Sequence, residues 1–226
     1  MIGVFDSGAG GLTAIKELRK ISKSVNICFL ADRKNAPYGT KTIEEVEALA
    51  HNNIKALLAF GVEKILIACC TASAAYPRLS PEDRGVCVPI IEPAARRALE
   101  ISKTKRIGVI ATERTVKESA FKRAIISLSS KAEVFELATQ SFVTLVERGA
   151  RDSNLEKADK NKIASELAPL RDKEIDTLIL GCTHFPHIEG EIRRVLRANT
   201  VNPSLEGALE IAKTVELSEN GRTVYL

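Results

Sequence analysis

Short apolar runs alternate along the chain with longer stretches in which apolar residues recur at helical spacing. The runs are rich in β-branched residues and almost continuously hydrophobic, which is typical of strands buried on both faces of a parallel sheet. They predict strands at Ile2–Phe5, Val25–Leu30, Ile65–Ala68, Val86–Ile91, Ile107–Ile110, Val134–Leu137 and Thr177–Leu180. The alternation of such strands with helices indicates a doubly wound α/β fold.

Helix start and stop signals support this interpretation. Apolar residues at helical spacing begin at Leu12, directly after the first predicted strand. Further on, Thr42 and Glu45 form a capping box, and Gly61 is a stop signal at the end of the apolar pattern that follows. We therefore expect a long helix between the second and third strands.

The chain presents the same landmarks twice and in the same order. IGV occurs at 2–4 and again at 107–109, and each copy leads into a polar turn, DSGAGG at 6–11 and ATERT at 111–115. Each half later contains a strand that ends in a cysteine, KILIACCT at 64–71 and DTLILGCTH at 176–184. This duplication predicts two similar α/β domains related by a pseudo-twofold axis, joined near Glu92 and Pro93.

The repeated cysteines, Cys69 and Cys182, indicate a particular chemistry. Ligands of α/β sheets bind beyond the carboxyl ends of the strands, where both thiols are expected. Each is followed by Thr and a predicted helix, whose N-terminus is expected to lower the thiol pKa. Two such domains packed face to face would place one thiol on either side of a shared cleft. One thiolate could then remove a proton from a carbon while the other thiol delivers a proton to the opposite face.

Composition and charge exclude several classes of protein. Of the 226 residues, 45% are hydrophobic and 27% are charged, which is the profile of a globular protein. The net charge is +4, with basic residues scattered among acidic ones, so we expect no nucleic-acid partner. No apolar run approaches the roughly 20 residues of a membrane span, and the N-terminus lacks the pattern of a secretion signal. These features predict a cytoplasmic protein without a membrane partner.

Five cysteines without a CxxC pair argue against a disulfide framework or a zinc ribbon. Cys28 and Cys87 lie inside apolar runs and are predicted to be core residues. A metal site formed by Cys69, Cys70, Cys182, His184 and His187 is disfavoured, because the spacing lacks close ligand pairs and adjacent cysteines should point to opposite sides. A cysteine–histidine hydrolase is a further alternative, but it leaves one cysteine of the repeated pair without a role.

Seven motifs extend the argument by resemblance. In order and over almost the whole chain, the chain is similar to the glutamate racemase family at DSGAGGL, APYGTKT, IACCTASA, IIEPAARRA, TVKESAF, FVTLVERG and LILGCTHFP. The resemblance implies two α/β domains with the active site between them and the last stretch returning to the first domain, that is, residues 1–92 plus 203–226 and residues 93–202. It also implies interconversion of L- and D-glutamate without metal or pyridoxal phosphate, supplying D-glutamate for peptidoglycan, in a protein that is expected to form a homodimer.

Residue roles follow from the same resemblance. Cys69 and Cys182 match the catalytic pair, Asp6 and His184 match the acid/base residues beside them, and Glu147 matches a further carboxylate near the second cysteine. Substrate contacts are expected from a second, overlapping set of residues: Asp6, Ser7, Tyr38, Gly39, Cys70, Thr71, Thr183 and His184. Hydroxyl and backbone N–H donors suit the two carboxylates of glutamate, because hydrogen bonds to an ionised acceptor are strong.

The chain departs from the family pattern at two places near the expected site. Cys70 stands where the family has Asn in a Cys-Asn-Thr triplet, and a thiol is a poor donor and acceptor in place of an amide. ATQS at 138–141 stands where the family has Ala-Cys-Pro. Two alternatives therefore stay open: a racemase acting on another acidic amino acid such as aspartate, and a non-catalytic member of the family that binds a small molecule or regulates a partner.

Overall fold

The structure, a computed structural model, describes residues 1–214 and 221–226 and contains two parallel β-sheets. The first sheet has the order β4-β3-β1-β2-β9 and the second has the order β6-β5-β7-β8. The strands are β1 (Ile2–Asp6), β2 (Ile27–Ala31), β3 (Lys64–Ile67), β4 (Cys87–Pro89), β5 (Arg106–Ala111), β6 (Glu133–Ala138), β7 (Thr177–Gly181), β8 (Asn199–Val201) and β9 (Thr223–Tyr225).

Helices cover both sheets and connect the strands. They are α1 (Leu12–Ile21), α2 (Ile43–Ala59), α3 (Cys70–Ala75), α4 (Pro81–Val86), α5 (Ile91–Ile101), α6 (Glu113–Lys117), α7 (Ala120–Leu128), α8 (Gln140–Glu147), α9 (Lys157–Glu166), α10 (Ala168–Arg171), α11 (Glu189–Leu196) and α12 (Pro203–Ala212). The expected capping box of α2 is formed, since the Thr42 side chain accepts from the Glu45 backbone N–H and the Glu45 carboxylate from the Thr42 N–H. None of the helices described is long and apolar enough to cross a membrane.

The duplication expected from the sequence is present in the strand order. In the first half β1 lies between β3 and β2, and in the second half β5 lies between β7 and β6. When the second sheet is listed from its other edge, β8-β7-β5-β6 matches β4-β3-β1-β2 strand for strand. The two IGV segments are therefore the central strands, and Cys69 and Cys182 follow the equivalent strands β3 and β7.

All seven predicted strands form, but one prediction is too long. The run Val86–Ile91 yields only β4, because Val86 is the last residue of α4 and Ile91 is the first residue of α5. Pro89 has no N–H for a sheet bond, and the N–H of Ile90 bonds to the Ser73 hydroxyl instead. Neither β8 nor β9 is among the seven predicted strands.

An inner apolar cluster joins the two halves of the protein. It contains residues of β1 and β5 together with α1, α5, α7 and α12, whereas the outer face of each sheet has its own cluster. Cys28 and Cys87 are buried in the outer cluster of the first half, as predicted. β9 pairs with β2, and α12 packs against α1 and α5. These contacts support the division into residues 1–92 plus 203–226 and residues 93–202, which remains our proposal.

Candidate active site

One pocket lies where the carboxyl ends of β1, β3, β5 and β7 meet. Parallel strands place these ends at the same edge of each sheet, and the two sheets turn these edges toward each other. The cavity has a volume of about 30 Å³, room for one or two water molecules. Its walls are formed by Ser7, Gly8, Ala36, Pro37, Tyr38, Gly39, Cys69, Cys70, Thr71, Thr112, Gln140, Val143, Glu147, Cys182, Thr183 and His184. The structure therefore brings all predicted site residues to this pocket except Asp6, which lies directly behind its wall.

The first thiol, Cys69, is the N-cap residue of α3. Its sulfur accepts a bond from the backbone N–H of Ala72 at 3.5 Å and donates to the Ser7 hydroxyl at 3.6 Å. The N–H of Ala72 at the helix N-terminus does lower the pKa of this thiol, but the expectation that the net shift is downward is wrong. Burial and the nearby charge of Asp6 raise the pKa of Cys69 to about 11, and the bonds to Ala72 and Ser7 offset this only in part.

The second thiol, Cys182, is linked to a histidine and a carboxylate. Its sulfur lies 3.4 Å from Nδ1 of His184, and Nε2 of the same ring lies 3.6 Å from Oε1 of Glu147. Burial also raises the pKa of this thiol, contrary to the expectation from sequence. Burial above all, with smaller effects of the neighbouring His187 and Arg151, lowers the pKa of His184 to about 4, so the ring is neutral at neutral pH. A neutral ring with its proton on Nε2, facing Glu147, presents Nδ1 as an acceptor to the Cys182 thiol.

Asp6 is the last residue of β1 and is completely buried. Its carboxylate accepts from the Gly8 N–H at 2.8 Å and from the Thr183 hydroxyl at 3.3 Å, so it connects the first half to the strand end that holds Cys182. Burial raises the pKa of Asp6 to about 6, despite these hydrogen bonds. Gly10 permits this close packing, because a Cβ there would lie 2.1 Å from the Thr183 hydroxyl oxygen.

Threonine hydroxyls of the two halves meet at one side of the pocket. Oγ1 of Thr71 lies 3.0 Å from Oγ1 of Thr112, which lies 2.9 Å from Oγ1 of Thr115. All three residues are buried, and Thr112 is the N-cap residue of α6. Rotatable hydroxyls of this kind can turn their protons toward an anion in the pocket.

Tyr38 and Gly39 line the pocket in different ways. The Tyr38 hydroxyl donates to Asp32 at 2.5 Å and accepts from Asn53 at 3.0 Å, so it is held by residues outside the pocket wall. Only the ring and backbone of Tyr38 are left to contact a ligand. At Gly39 a Cβ would lie 2.5 Å from Oε1 of Gln140 and 2.8 Å from Cβ of Thr112, so the second half approaches the Gly39 backbone closely.

Cys70 is buried beside the catalytic candidates. The two side chains point to opposite sides, as expected of neighbours in the chain. Cys69 packs in the outer cluster of the first half, and Cys70 packs in the inner cluster that joins the two halves. Both line the pocket, so Cys70 lies where a substrate contact was expected of it. Within residues 1–214 and 221–226, no three His, Cys, Asp or Glu side chains are grouped so as to hold a metal ion.

The sequence analysis missed several residues of the pocket wall: Gly8, Ala36, Pro37, Thr112, Gln140 and Val143. The duplication contains a signal for Thr112, because it follows β5 just as Ser7 follows β1. Gln140 lies in ATQS, the segment that departs from the family pattern. The other four supply small or apolar surface, for which the sequence gives no chemical signal.

Comparisons with known proteins identify the family of the chain. Residues 13–210 match the family model described as Asp/Glu/Hydantoin racemase. The chain belongs to this racemase family. A glutamate racemase from Desulforudis audaxviator is 41% identical over 201 residues, which is 88% of this chain and 72% of that protein.

Two solved structures within the Asp/Glu/hydantoin racemase family share the fold. A glutamate racemase isoform from Bacillus anthracis is 30% identical, with a TM-score of 0.93 over 100% of this chain and 87% of that chain. A glutamate racemase from Francisella tularensis, solved in complex with D-glutamate, is 29% identical, with a TM-score of 0.90 over 99% and 86% of the two chains. The two-sheet architecture is therefore that of glutamate racemases.

Proposed function

We propose that the protein is an isomerase that interconverts L- and D-glutamate with two cysteines as the acid and the base, without a cofactor. The observation that carries this proposal is the placement of Cys69 and Cys182 at equivalent strand ends, where both line one pocket. Its biological role is the supply of D-glutamate for peptidoglycan. We further propose a cytoplasmic location, where free thiols persist, and a homodimer, which sedimentation at assay concentrations would test.

The reaction begins with the formation of one thiolate. Both thiols are protonated in the free protein because burial raises their pKa values. The ammonium group of a bound amino acid favours a nearby thiolate electrostatically. Asp6, whose pKa is about 6, is ionised at neutral pH and can take the proton on the Cys69 side, and Nδ1 of His184 can take it on the Cys182 side.

Inversion then needs one proton transfer on each face of the substrate. The Cys69 thiolate takes the Cα proton, and the electrons of the broken C–H bond stay on carbon. The Cys182 thiol gives its proton to the opposite face, so a new C–H bond forms and a Cys182 thiolate remains. Asp6 then releases the proton that it took from Cys69, and one proton returned through His184 restores the Cys182 thiol, so no proton is gained or lost overall. The opposite enantiomer reacts in the reverse direction.

Neutral donors around the pocket suit the two carboxylates of the substrate. The hydroxyls of Thr71 and Thr112 and the backbone N–H groups beside Gly39 lie at contacts between the two halves. Donors that are already oriented stabilise the carbanion-like transition state without reorganisation.

The test replaces each thiol in turn. Cys69→Ser and Cys182→Ser should each reduce racemisation of glutamate at least about a hundredfold, because a proton transfer on one face is lost. In deuterated water, each variant should retain slow exchange of the Cα proton from one enantiomer only, since one base remains. Circular dichroism would follow the racemisation of glutamate, and proton NMR would follow the exchange of its Cα proton.

A matched control uses a cysteine away from the pocket. Cys28 is buried in β2 and takes no part in the proposed reaction, so Cys28→Ala should racemise glutamate at the rate of the unmodified protein. A Cys69→Ser or Cys182→Ser variant that still racemised at full rate would refute the two-base mechanism. Higher activity on aspartate than on glutamate would favour the alternative substrate instead.

A further inference from the structure

Gln140 contributes a polar side chain to the pocket that the proposed mechanism does not use. It is the first residue of α8, and Glu147, which also lines the pocket, is the last. Gln140 belongs to the second half, but its side chain reaches the backbone of Gly39 in the first half. The amide therefore lies at the boundary between the two halves.

The amide oxygen of Gln140 is buried without a partner. Oε1 has no hydrogen bond to any residue in 1–214 or 221–226. Native proteins rarely leave such an atom unsatisfied, because a buried polar group without a partner is destabilising. Its neighbours are Gly39 and Thr112, with which it forms one polar corner of the pocket. A ligand that enters this corner would give the amide a partner: a donor to Oε1 as the side chain stands, or an acceptor to Nε2 after a half-turn of the amide.

We propose that the Gln140 carboxamide binds the side-chain carboxylate of the substrate and thereby determines the substrate's length. This inference rests on the proposed racemase function. The reacting carbon must lie between the sulfurs of Cys69 and Cys182, whose own partners are Ser7, Ala72 and His184. Gln140 lies at a different part of the wall, against Gly39 and Thr112, and is therefore assigned to the other end of the substrate.

The charges of the groups around the pocket indicate which end of the substrate each group binds. Glu147 is an acidic group in the pocket wall and Asp6 lies directly behind the wall, so this side suits the α-ammonium group, whereas Gln140 and Thr112 are neutral and suit an anion. A half-turn of the amide about its last torsion exchanges Oε1 for Nε2, which then donates to the carboxylate. A shorter substrate such as aspartate would leave this bond unmade, so Gln140 favours glutamate.

The test measures binding and turnover on the same variants. Gln140→Met keeps the length of the side chain but removes its polarity, and Gln140→Glu introduces a charge that repels a carboxylate. Calorimetry would use D-glutamate and glutarate, a dicarboxylate of the same length without the ammonium group. We expect the Kd of both ligands to rise about tenfold in Gln140→Met and further in Gln140→Glu, whereas kcat for glutamate should change less than about threefold.

Ser141→Ala is the matched control. Ser141 is the next residue of α8, but its hydroxyl donates to Glu166 at 2.6 Å and does not line the pocket. Its loss should leave both Kd values unchanged, which separates the amide contact from a general disturbance of the helix.

The remaining outcomes are distinguishable. Unchanged Kd values in both Gln140 variants would overturn the proposal while leaving the racemase function intact. Tighter binding of D-glutamate but not of glutarate by Gln140→Glu would place the amide at the ammonium group and also overturn it. If the unmodified protein did not racemise glutamate but the variants bound glutarate more weakly, the proposed function would fail and the Gln140 contact would stand. Absence of binding to either ligand would overturn both.

Discussion

At the scale of single residues, Asp6 carries a charge in an unfavourable place. The side chain is completely buried, and its pKa is raised to about 6 although Gly8 and Thr183 donate hydrogen bonds to it. Removal from water therefore outweighs the hydrogen bonds to the ionised form. A buried carboxylate that destabilises the folded protein at neutral pH is typical of a site arranged for proton transfer.

Replacing this carboxylate should make the protein more stable above pH 6. The pKa of Asp6 rises from 3.8 to about 6 on folding, so the folded state binds more protons between these values and stability falls as the pH rises. Asp6→Asn removes this cost. We expect its free energy of unfolding at pH 8 to exceed that of the unmodified protein by roughly 1–3 kcal/mol, and the difference to vanish below pH 3.8. Urea denaturation at both pH values would measure it, and equal stability at pH 8 would contradict the argument.

The residue scale also shows what sequence reasoning could and could not find. Cys69 and Cys182 were found because they repeat after equivalent strands, a pattern that is visible in the sequence. The direction of their pKa shifts was predicted wrongly, because burial depends on how the two halves close over the pocket. The contacts of Tyr38 with Asp32 and Asn53 were missed for the same reason: they depend on the packed geometry.

At the scale of elements, one carboxylate forms hydrogen bonds that join two segments at the amino-terminal edge of the second sheet. Asp176, directly before β7, accepts from the Ser102 hydroxyl at 2.6 Å and from the backbone N–H groups of Lys103 and Thr104 at 2.7 Å each. It joins the turn between α5 and β5 to β7, the strand that leads to Cys182. Burial opposes the ionised form, but these hydrogen bonds prevail and lower the pKa of Asp176 to about 2.

Asp176→Asn should therefore destabilise the protein in a pH-dependent way. A carboxyl group whose pKa is lowered on folding contributes stability above its unfolded value of 3.8, and this contribution is lost as the pH falls through about 2. Because the group is partly exposed, we expect a loss of about 1–2 kcal/mol at pH 7. The loss should shrink toward pH 2, as thermal unfolding at a series of pH values would show. A loss that did not vary with pH would indicate a purely steric effect.

The elements that sequence reasoning missed are short. β8 contains only Asn199–Val201, with two polar residues, and therefore lacks the apolar run by which longer strands are found. The predicted strand Val86–Ile91 was too long because its first residue belongs to α4 and its last residue belongs to α5. These end residues are apolar because they lie on helices that pack against the core. Hydrophobicity alone does not distinguish a short buried strand from the end of a buried helix.

At the scale of the whole molecule, the two halves close over a cavity that is too small for the proposed substrate. Its volume of about 30 Å³ suits a water molecule or two, whereas glutamate has a chain of five carbons with three charged groups. The halves must therefore separate for glutamate to enter. Near the pocket they are joined by polar contacts, such as Thr71 to Thr112 and the Thr13 hydroxyl to the Thr183 carbonyl. Such contacts can be exchanged for water at a lower cost than apolar packing.

Arg114 forms the most direct of these contacts. Its Nε donates to the carbonyl of Lys41 at 2.5 Å across the two halves, while Nη1 pairs at 3.1 Å with Glu118, the C-cap residue of α6. Arg114→Met should favour the open form. We expect faster dissociation of D-glutamate in stopped-flow measurements and a KM raised roughly three- to tenfold, the cost of one hydrogen bond.

A matched arginine in the second half separates closure from general stability. Arg106 also donates to a backbone carbonyl, that of Lys173 at 2.9 Å, and pairs with Glu133 at 2.7 Å, but all of these residues lie in one half. Arg106→Met should therefore lower the melting temperature without changing the dissociation rate of D-glutamate. If Arg114→Met left both that rate and KM unchanged, the Lys41 contact would have no part in closure. Entry would then depend on separation elsewhere along the boundary, where the inner apolar cluster joins the two halves.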